Sequence, residues 1–176
     1  NEFVDRNDDG EITEADRYMT GKSIAPKFYY GLNIKLTYKD WDFGLNGHGS
    51  AGTWAFNDFM SANSTASLDL NAGNLPNQAL LVKKTGFIAP NSSQQWYSDY
   101  FIENTSFFRL DDVNLGYTFR GIGRWKTDIR IAASVQNVFV LTGYSGMDPE
   151  VISENGIDNT IWPRPRTYSL RLNVNF

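Results

Sequence analysis

The sequence contains no cysteine and only one histidine, and each shortage limits the chemistry of the chain. Without cysteine, neither a disulfide nor a thiolate metal site can form. Because His48 is the only histidine, the chain alone cannot supply a histidine-based metal cluster or a Ser-His-Asp triad. His48 is therefore predicted to be a hydrogen-bonding residue, and the protein is not expected to be an enzyme.

Long apolar runs and an excess of positive charge are also lacking. The chain has no stretch of about 18 apolar residues, which excludes a transmembrane helix. A transmembrane β-strand needs only about ten residues of alternating hydrophobicity, so a membrane location stays open. The net charge is −4 without a basic stripe, which argues against binding to nucleic acid.

The chain is instead rich in aromatic residues, at 15%, and in alternating patterns. Apolar and polar side chains alternate with a period of two in five segments. This period predicts strands with one apolar and one polar face, and therefore an all-β protein. The predicted strands are Phe28–Tyr38, about 41–48, about Phe107–Phe119, about Lys126–Leu141 and Thr167–Phe176.

The third predicted strand changes phase within its length. Phe108 and Leu110 are out of step with the apolar set that begins at Val113. A slip of one residue would move every side chain to the other face of the sheet. The sequence therefore predicts a β-bulge near Asp111 and Asp112, which restores a single apolar face.

The connections between the predicted strands alternate between short and long. Short turns are expected at Lys39-Asp40 and Gly121–Gly123, and long segments at 50–106 and 142–166. This alternation is typical of outer-membrane barrels, which have short periplasmic turns and long extracellular loops. A soluble sandwich usually has shorter and more uniform loops. We therefore predict one barrel domain over 1–176, with extracellular loops at about 1–27, 50–106 and 142–166.

The two faces of the predicted strands differ in chemistry. The residues predicted to face lipid are Phe28, Leu32, Ile34, Leu36, Leu115, Ile131, Leu170 and Leu172. Those predicted to face a wet lumen are Asn33, Lys35, Asn114, Arg130, Arg171 and Asn173. Aromatic residues near the strand ends fit the aromatic girdles of a barrel, and Phe176 fits its terminal aromatic residue. A soluble sheet with one dry face would explain the same alternation.

Four stretches of the chain resemble the C-terminal portion of the SusC/RagA family of TonB-linked outer-membrane transporters. The first is the Asp/Asn/Gly segment Asp5–Arg17, followed by a strand that opens with Pro26-Lys27-Phe28. The others are Phe101–Leu110 with Val113–Tyr117, Ser134–Phe139 with Thr142–Glu150, and Pro163–Tyr168. Asn104-Thr105 departs from the acidic-Gly turn expected there.

The resemblance implies that the five strands are the last of a larger barrel of about twenty-two. It also implies an outer-membrane location in contact with lipid, a plug that contacts TonB outside this chain, and a SusD-like surface lipoprotein as lid. The expected function is TonB-dependent import of an oligosaccharide or, next, of a peptide. A siderophore or cobalamin receptor of the same architecture is the alternative within transport.

The segment from Asp5 to Asp16 has the spacing of an EF-hand loop. Oxygen ligands stand at loop positions one, three, five and twelve, and glycine stands at position six. The predicted ligands of a structural Ca²⁺ ion are Asp5, Asn7, Asp9, the carbonyl of Glu11, and Asp16. A solvated acidic turn without metal is the other interpretation. The segment also allows a second class of function, a soluble calcium-binding β-module for adhesion or scaffolding.

Aromatic residues stand among amides and hydroxyls in the long segment 50–106. Aromatic faces beside amide groups suit sugar rings, extended peptides or the interface with a lid protein. Packing of the loop on itself is the remaining interpretation. The residues predicted to contact ligand or lid are Trp54, Phe56, Trp96, Tyr97 and Tyr100.

Overall fold

The computed structural model describes residues 4–67, 80–85, 87–89, 98–124, 126–150, 152–158 and 162–175. Nearly all regular structure is β. The elements in chain order are β1 (Phe28–Tyr38), β2 (Trp41–Ala51), β3 (Trp54–Asn57), α1 (Asp58–Asn63), β4 (Thr65–Ser67), α2 (Leu80–Thr85), β5 (Phe87–Ala89), β6 (Ile102–Asn104), β7 (Phe107–Ile122), β8 (Thr127–Thr142), β9 (Ile157–Asp158) and β10 (Thr167–Asn175). Single 3-10 turns lie at Glu14–Asp16 and Asp99–Phe101.

The main sheet has five strands in the order β1-β2-β7-β8-β10, and all neighbouring pairs are antiparallel. These are the five strands predicted from the alternation. Two bounds differ by more than one residue: β2 continues to Ala51, and β7 continues to Ile122. The turn after β7 therefore lies at 123–126, where Gly123 and Lys126 have positive φ, and not at the predicted Gly121–Gly123. The positive φ angles let the backbone reverse within those few residues.

The predicted bulge is confirmed at Asp111. Asp112 pairs with Asn46 and Leu110 pairs with Gly47, so Asp111 has no partner in β2. The pairing with β8 is also irregular here, because Asn137, with a φ of 52°, lies between the paired positions Gln136 and Phe139. The extra residue returns Leu110 to the apolar face.

The apolar face of the main sheet is exposed across its full width. Many of its large side chains are exposed, from 40% at Tyr30 to 79% at Leu170, while others, such as Ile34 and Tyr117, are half-buried. The opposite face carries amides, carboxylates and guanidinium groups. Among the described residues only five apolar side chains are buried, and three of these, Ala55, Phe101 and Tyr144, lie outside the main sheet. The sheet thus has no hydrophobic core of its own, in contrast to a soluble domain of this length.

Aromatic side chains cluster at both ends of the apolar face. At one end, the rings of Tyr30 and Phe108 are stacked with centroids 6.2 Å apart. At the other, Tyr117 lies 4.7 Å from Trp41. Tyr30 and Tyr38 of β1 are separated by roughly 26 Å along the strand at about 3.3 Å per residue. This distance is comparable to the apolar band of about 25 Å in outer-membrane barrels.

The long connections all lie at one end of the main sheet, because the strands are antiparallel and the short turns at 39–40 and 123–126 lie at the other. The described part of the segment between β2 and β7 contains short strands and helices. There β3 pairs with β6 antiparallel, and β3 also pairs in parallel with β9, which follows β8, so that the three strands form a second small sheet. We call this the loop layer. None of the described helices is long and apolar enough to cross a membrane.

Candidate functional site

The polar face of the main sheet carries an ion pair that crosses a central strand. Arg130 of β8 donates from Nε to Asp42 Oδ1 at 2.8 Å and from Nη2 to Asp42 Oδ2 at 2.5 Å, although β7 separates their strands. The bridge passes over Gly116. A Cβ atom at Gly116 would lie 2.5 Å from Arg130 Nη2 and 2.6 Å from Asp42 Oδ1, so glycine is required for this close approach.

Amides continue the polar network along the same face. Asn33 of β1 donates to Asn46 of β2, and Asn46 donates to Asp112 of β7 at 3.3 Å. Asn114 donates to the same Asp112 oxygen at 3.2 Å. Side chains from three neighbouring strands therefore share one hydrogen-bonded row, which fits a face that meets water or polar protein groups.

Near the loop layer, the guanidinium of Arg109 joins the sheet to the segment that follows β8. Arg109 is buried and donates to Asp148 at 2.5 Å, to Glu150 at 2.9 Å and to Asn137 at 2.6 Å. Asp148 is buried as well. Burial of charges in such a position is costly unless they are paired and hydrogen-bonded, as they are here. Arg109, Asp148 and Glu150 lie in the stretches that carry the family resemblance, but the sequence alone did not assign them a role.

His48 lies beside this cluster and bridges two carboxylates. Its Nδ1 is 2.6 Å from Asp111 Oδ2, and its Nε2 is 3.3 Å from Glu150 Oε1. Asp111 is the bulged residue of β7, so the bulge brings its side chain to the imidazole. His48 is a hydrogen-bonding residue, as predicted. Glu150 also accepts from Arg164 at 3.0 Å, which connects the beginning and end of the segment between β8 and β10.

A second set of contacts holds the loop layer together. Glu103 accepts from Asn57 at 3.0 Å and from the hydroxyl of Ser145 at 2.6 Å. Tyr144 donates to Asp158 at 2.5 Å. Burial raises the pKa of Tyr144 well above the usual value, and the hydrogen bond to Asp158 raises it further. Tyr144 therefore stays a neutral donor, and the segment after β8 is attached to β3, β6 and β9.

The acidic loop places its oxygens around its own backbone amides. Asp5 accepts from the amide of Gly10 at 2.7 Å, and Asp9 accepts from the amide of Glu11 at 2.8 Å. Asp16 accepts from the amides of Arg6 and Thr13. The amide of Thr13, followed by that of Arg6, lowers the pKa of Asp16. Residues Asp5, Asn7, Asp9, Glu11 and Asp16 all lie in this one exposed loop.

The acidic loop is a candidate metal site by the spacing of its oxygens. No group of three or more His, Asp or Glu residues in the described part of the chain is arranged to hold a metal ion. The predicted ligand set also includes the side-chain amide of Asn7 and the backbone carbonyl of Glu11, which are not His, Asp or Glu side chains. Asp5 and Asp9 already accept hydrogen bonds from amides, but each carboxylate has further lone pairs. The calcium site stays a prediction.

Three of the predicted ligand or lid residues, Trp54, Phe56 and Tyr100, lie in the described part of the chain. Trp54 of β3 is half-buried, and the ammonium of Lys22 lies 4.5 Å above its ring. Phe56 packs edge-on against the buried Phe101 at 6.1 Å, and Tyr100 packs against the same ring at 5.2 Å. These contacts are those of loop packing, and Tyr100 remains half exposed. Trp96, Tyr97 and Phe176 lie outside the described residues.

Comparison with known proteins gives a consistent result. The chain is 37% identical over its whole length to the TonB-dependent receptor SusC of Bacteroides thetaiotaomicron, of which it covers 18%. It is 30% identical over 99% of its length to a TonB-dependent receptor of Formosa agariphila, of which it covers 19%. The chain thus spans about a fifth of the length of these relatives. No family model matches it.

Solved structures share the fold. The structure of the RagAB peptide transporter matches 94% of this chain with a TM-score of 0.72 and 17% sequence identity, over 19% of the length of that chain. The RagAB peptide importer in its open-open state matches 92% of this chain with a TM-score of 0.68 and covers 19% of that chain.

Proposed function

Because the chain belongs to the SusC/RagA-like family of TonB-dependent receptors, we propose that it forms part of the wall of an outer-membrane nutrient importer. In this proposal, the apolar face of the main sheet meets lipid and the polar face lines the lumen. The energy for import comes from TonB, which acts through a plug outside this chain. The observation that carries the proposal is the wide apolar face, which is exposed between two aromatic clusters.

The open edges of the sheet support the same proposal. β1 and β10 each pair with one neighbour, so each has an unpaired edge among the described strands. Unpaired backbone groups in hydrocarbon cost several kcal/mol each, so a membrane-spanning sheet must close into a barrel. Further strands of the full-length protein would supply the missing partners. A soluble calcium-binding module would instead leave this apolar face in water, at a large cost in free energy.

We assign the end of the sheet with the loop layer to the outside of the cell. Long extracellular loops and short periplasmic turns are the rule for such barrels. The extracellular segments are then about 1–27, 50–106 and 142–166, and the turns at 39–40 and 123–126 are periplasmic. The contacts of Glu103, Tyr144 and Arg109 support this assignment, since they build the long segments into one structured layer.

A SusD-like surface lipoprotein is the proposed partner of the loop layer. RagAB, whose fold this chain shares, is described as a peptide importer. For this chain we propose an oligosaccharide as substrate, with a peptide as the second candidate. Half-exposed aromatic residues such as Trp54 and Tyr100 support the choice, because aromatic rings suit the faces of sugar rings and also anchor protein contacts.

We also propose that the acidic loop from Asp5 to Asp16 binds Ca²⁺ and thereby stiffens an extracellular segment. The spacing of the loop and the positive φ of Gly10, at 83°, support the proposal. The ion would have a structural role. It would have no part in transport chemistry.

The proposed function is tested by affinity purification of the full-length protein from outer membranes in mild detergent. We expect a surface lipoprotein to copurify. We also expect deletion of the gene to abolish growth on an oligosaccharide while growth on its monosaccharide continues. Recovery of the protein in the soluble fraction would overturn the membrane assignment. If the deletion abolished only growth on peptides, the substrate would be a peptide, which is the second candidate. If growth failed only under iron limitation, the protein would be a siderophore receptor.

A further inference from the structure

Positive charge collects at the end of the main sheet that has the short turns. Four basic residues lie in the two turns and at the end of β7, namely Lys39, Arg120, Arg124 and Lys126. The neighbouring acidic residues are Asp40 and Asp128. The chain as a whole has a net charge of −4, so a basic end of the sheet runs against the overall balance.

Three of these cations have no carboxylate partner among the described residues. Asp40 accepts from Arg120 Nε at 2.7 Å, and Asp128 accepts from the amide of Gly121 at 2.8 Å. The exposed side chains that remain are Lys39, Arg124 and Lys126, and we call them the cationic rim. Uncompensated charges of one sign create a potential that attracts the opposite charge. The rim therefore favours an anionic partner.

Two residues of the cationic rim occupy backbone positions that are usual for glycine or asparagine. Lys39 has a φ of 53°, and Lys126 has a φ of 50°. This left-handed region is disfavoured for a residue with a long side chain, and hairpin turns usually place Gly, Asn or Asp there. Residues held in that region are concentrated at functional sites. The presence of lysine at both turns therefore indicates a use for the ammonium groups.

The cationic rim adjoins the apolar face of the sheet. Lys39 Nζ lies 5.3 Å from the centroid of the Tyr38 ring, which is 69% exposed on that face. Beside it, the ring of Tyr117 contacts the rings of Trp41 and Phe119, each with centroids 4.7 Å apart. Aromatic belts of membrane proteins lie at the level of the lipid headgroups, and long basic side chains extend from apolar surface to that level. The anionic partner is thus expected among the headgroups.

We propose that the cationic rim binds the phosphate groups of anionic phospholipids at the periplasmic side of the membrane. The proposal rests on the proposed function, in which the apolar face meets lipid, and adds a preference for one class of lipid. Phospholipid headgroups are the anions that border the apolar face. A zwitterionic headgroup has no net charge to offset the rim, so phosphatidylglycerol should bind in preference to phosphatidylethanolamine.

The test is native mass spectrometry of the full-length protein in mild detergent, with phosphatidylglycerol and phosphatidylethanolamine added in equal amounts. The triple variant Lys39→Gln, Arg124→Gln, Lys126→Gln removes the charges of the rim. A basic residue near an anionic lipid surface contributes about fivefold in affinity. We therefore expect the single variant Lys39→Gln to lower retention of phosphatidylglycerol about fivefold, and the triple variant to lose the preference.

The matched control is the triple variant Arg17→Gln, Lys83→Gln, Lys84→Gln. It removes the same number of positive charges from exposed positions in the long segments, at the other end of the sheet. We expect it to retain phosphatidylglycerol as the wild type does. High salt should weaken the preference in the wild type, because exposed charges are screened.

Equal retention of the two lipids by the wild type would overturn the proposal. So would a preference that persists in the triple variant of the rim, or an equal loss in the control variant. If the triple variant did not insert, Lys39→Gln and Lys126→Gln would decide by the same readout. Membrane location, the copurifying lipoprotein and growth report on the proposed function separately, so failure of the lipid preference with those intact would reject only this inference.

Discussion

Arg109 and Asp148 form a buried ion pair, 2.5 Å between Nη2 and Oδ1, that ties a central strand of the sheet to the segment after β8. Both side chains are almost completely inaccessible to solvent. Arg109 therefore holds the segment after β8 against the main sheet. Glu150 and its partners His48 and Arg164 surround the same guanidinium.

Removal of this guanidinium should detach the loop. Arg109→Ala leaves Asp148 as a buried, uncompensated charge, and breaking such a pair costs about 3–5 kcal/mol. We expect the segment 143–166 to become sensitive to protease in purified protein while the barrel stays inserted. Arg120→Ala is the matched control, because the pair of Arg120 with Asp40 is exposed and exposed pairs contribute little. Equal protease resistance in both variants would contradict the role of Arg109.

A side chain at Gly116 should disrupt the Asp42–Arg130 bridge. Gly116→Ala places a Cβ atom 2.5–2.7 Å from the atoms of the Asp42–Arg130 bridge, so the bridge must open or the strands must shift. We expect a lower midpoint of thermal unfolding, as measured by circular dichroism on the detergent-solubilised protein. Gly143→Ala is the control, since no atom lies within 4 Å of a Cβ there. A midpoint unchanged from wild type in Gly116→Ala would show that the bridge does not contribute to stability.

The acidic loop should bind one calcium ion. The double variant Asp5→Ala, Asp9→Ala removes two of the predicted ligands. Tb³⁺ serves as a luminescent substitute for Ca²⁺, and we expect its luminescence to be lost in the double variant. We expect the wild-type signal to be displaced by Ca²⁺ more readily than by Mg²⁺, because flexible loops of this spacing accept six to eight oxygens. Asp8→Ala is the control at a position outside the ligand pattern. A wild-type protein without a Tb³⁺ signal would refute the site.

The acidic loop from Asp5 to Asp16 should stay ordered in moderately acidic solution. The amides of Thr13 and Arg6 lower the pKa of Asp16, so its contribution to local stability is complete above the usual Asp pKa of about 3.9 and is lost as the pH falls through the lower folded value. Hydrogen exchange of the loop, corrected for intrinsic rates, should therefore show protection down to about pH 4. Asp16→Asn should remove this pH dependence. Protection lost already at higher pH would contradict the lowered pKa.

The alternation of side chains predicted the fold well because the period of a strand is a local property. The faces of all five strands, and the bulge at Asp111, follow from the order of apolar and polar residues alone. The turn after β7 was predicted two residues too early, since Gly121 also has a positive φ but lies within the strand. Pairing continues there because backbone partners, and not residue type, decide where a strand ends.

The site was harder to predict because it is built from residues far apart in the chain. Arg109, Asp148 and Asn137 come together only through strand pairing and the return of the segment after β8. The one hint in the sequence was the run Thr142–Glu150, which lies in the family resemblance without an assigned role. The composition favoured aromatic contacts, and the structure shows Trp54 beneath the ammonium of Lys22 and Phe56 packed against Phe101.

The most direct test of the account is accessibility labelling of single cysteines in intact outer membranes, which is practical because this segment has no native cysteine. Leu115→Cys and Leu172→Cys should resist a water-soluble maleimide and should contact a lipid-soluble probe. Their neighbours Asn114→Cys and Asn173→Cys should react with the maleimide from the lumen. Reaction at Leu115→Cys and Leu172→Cys, with protection at Asn114→Cys and Asn173→Cys, would contradict the assignment of the faces and with it the transporter.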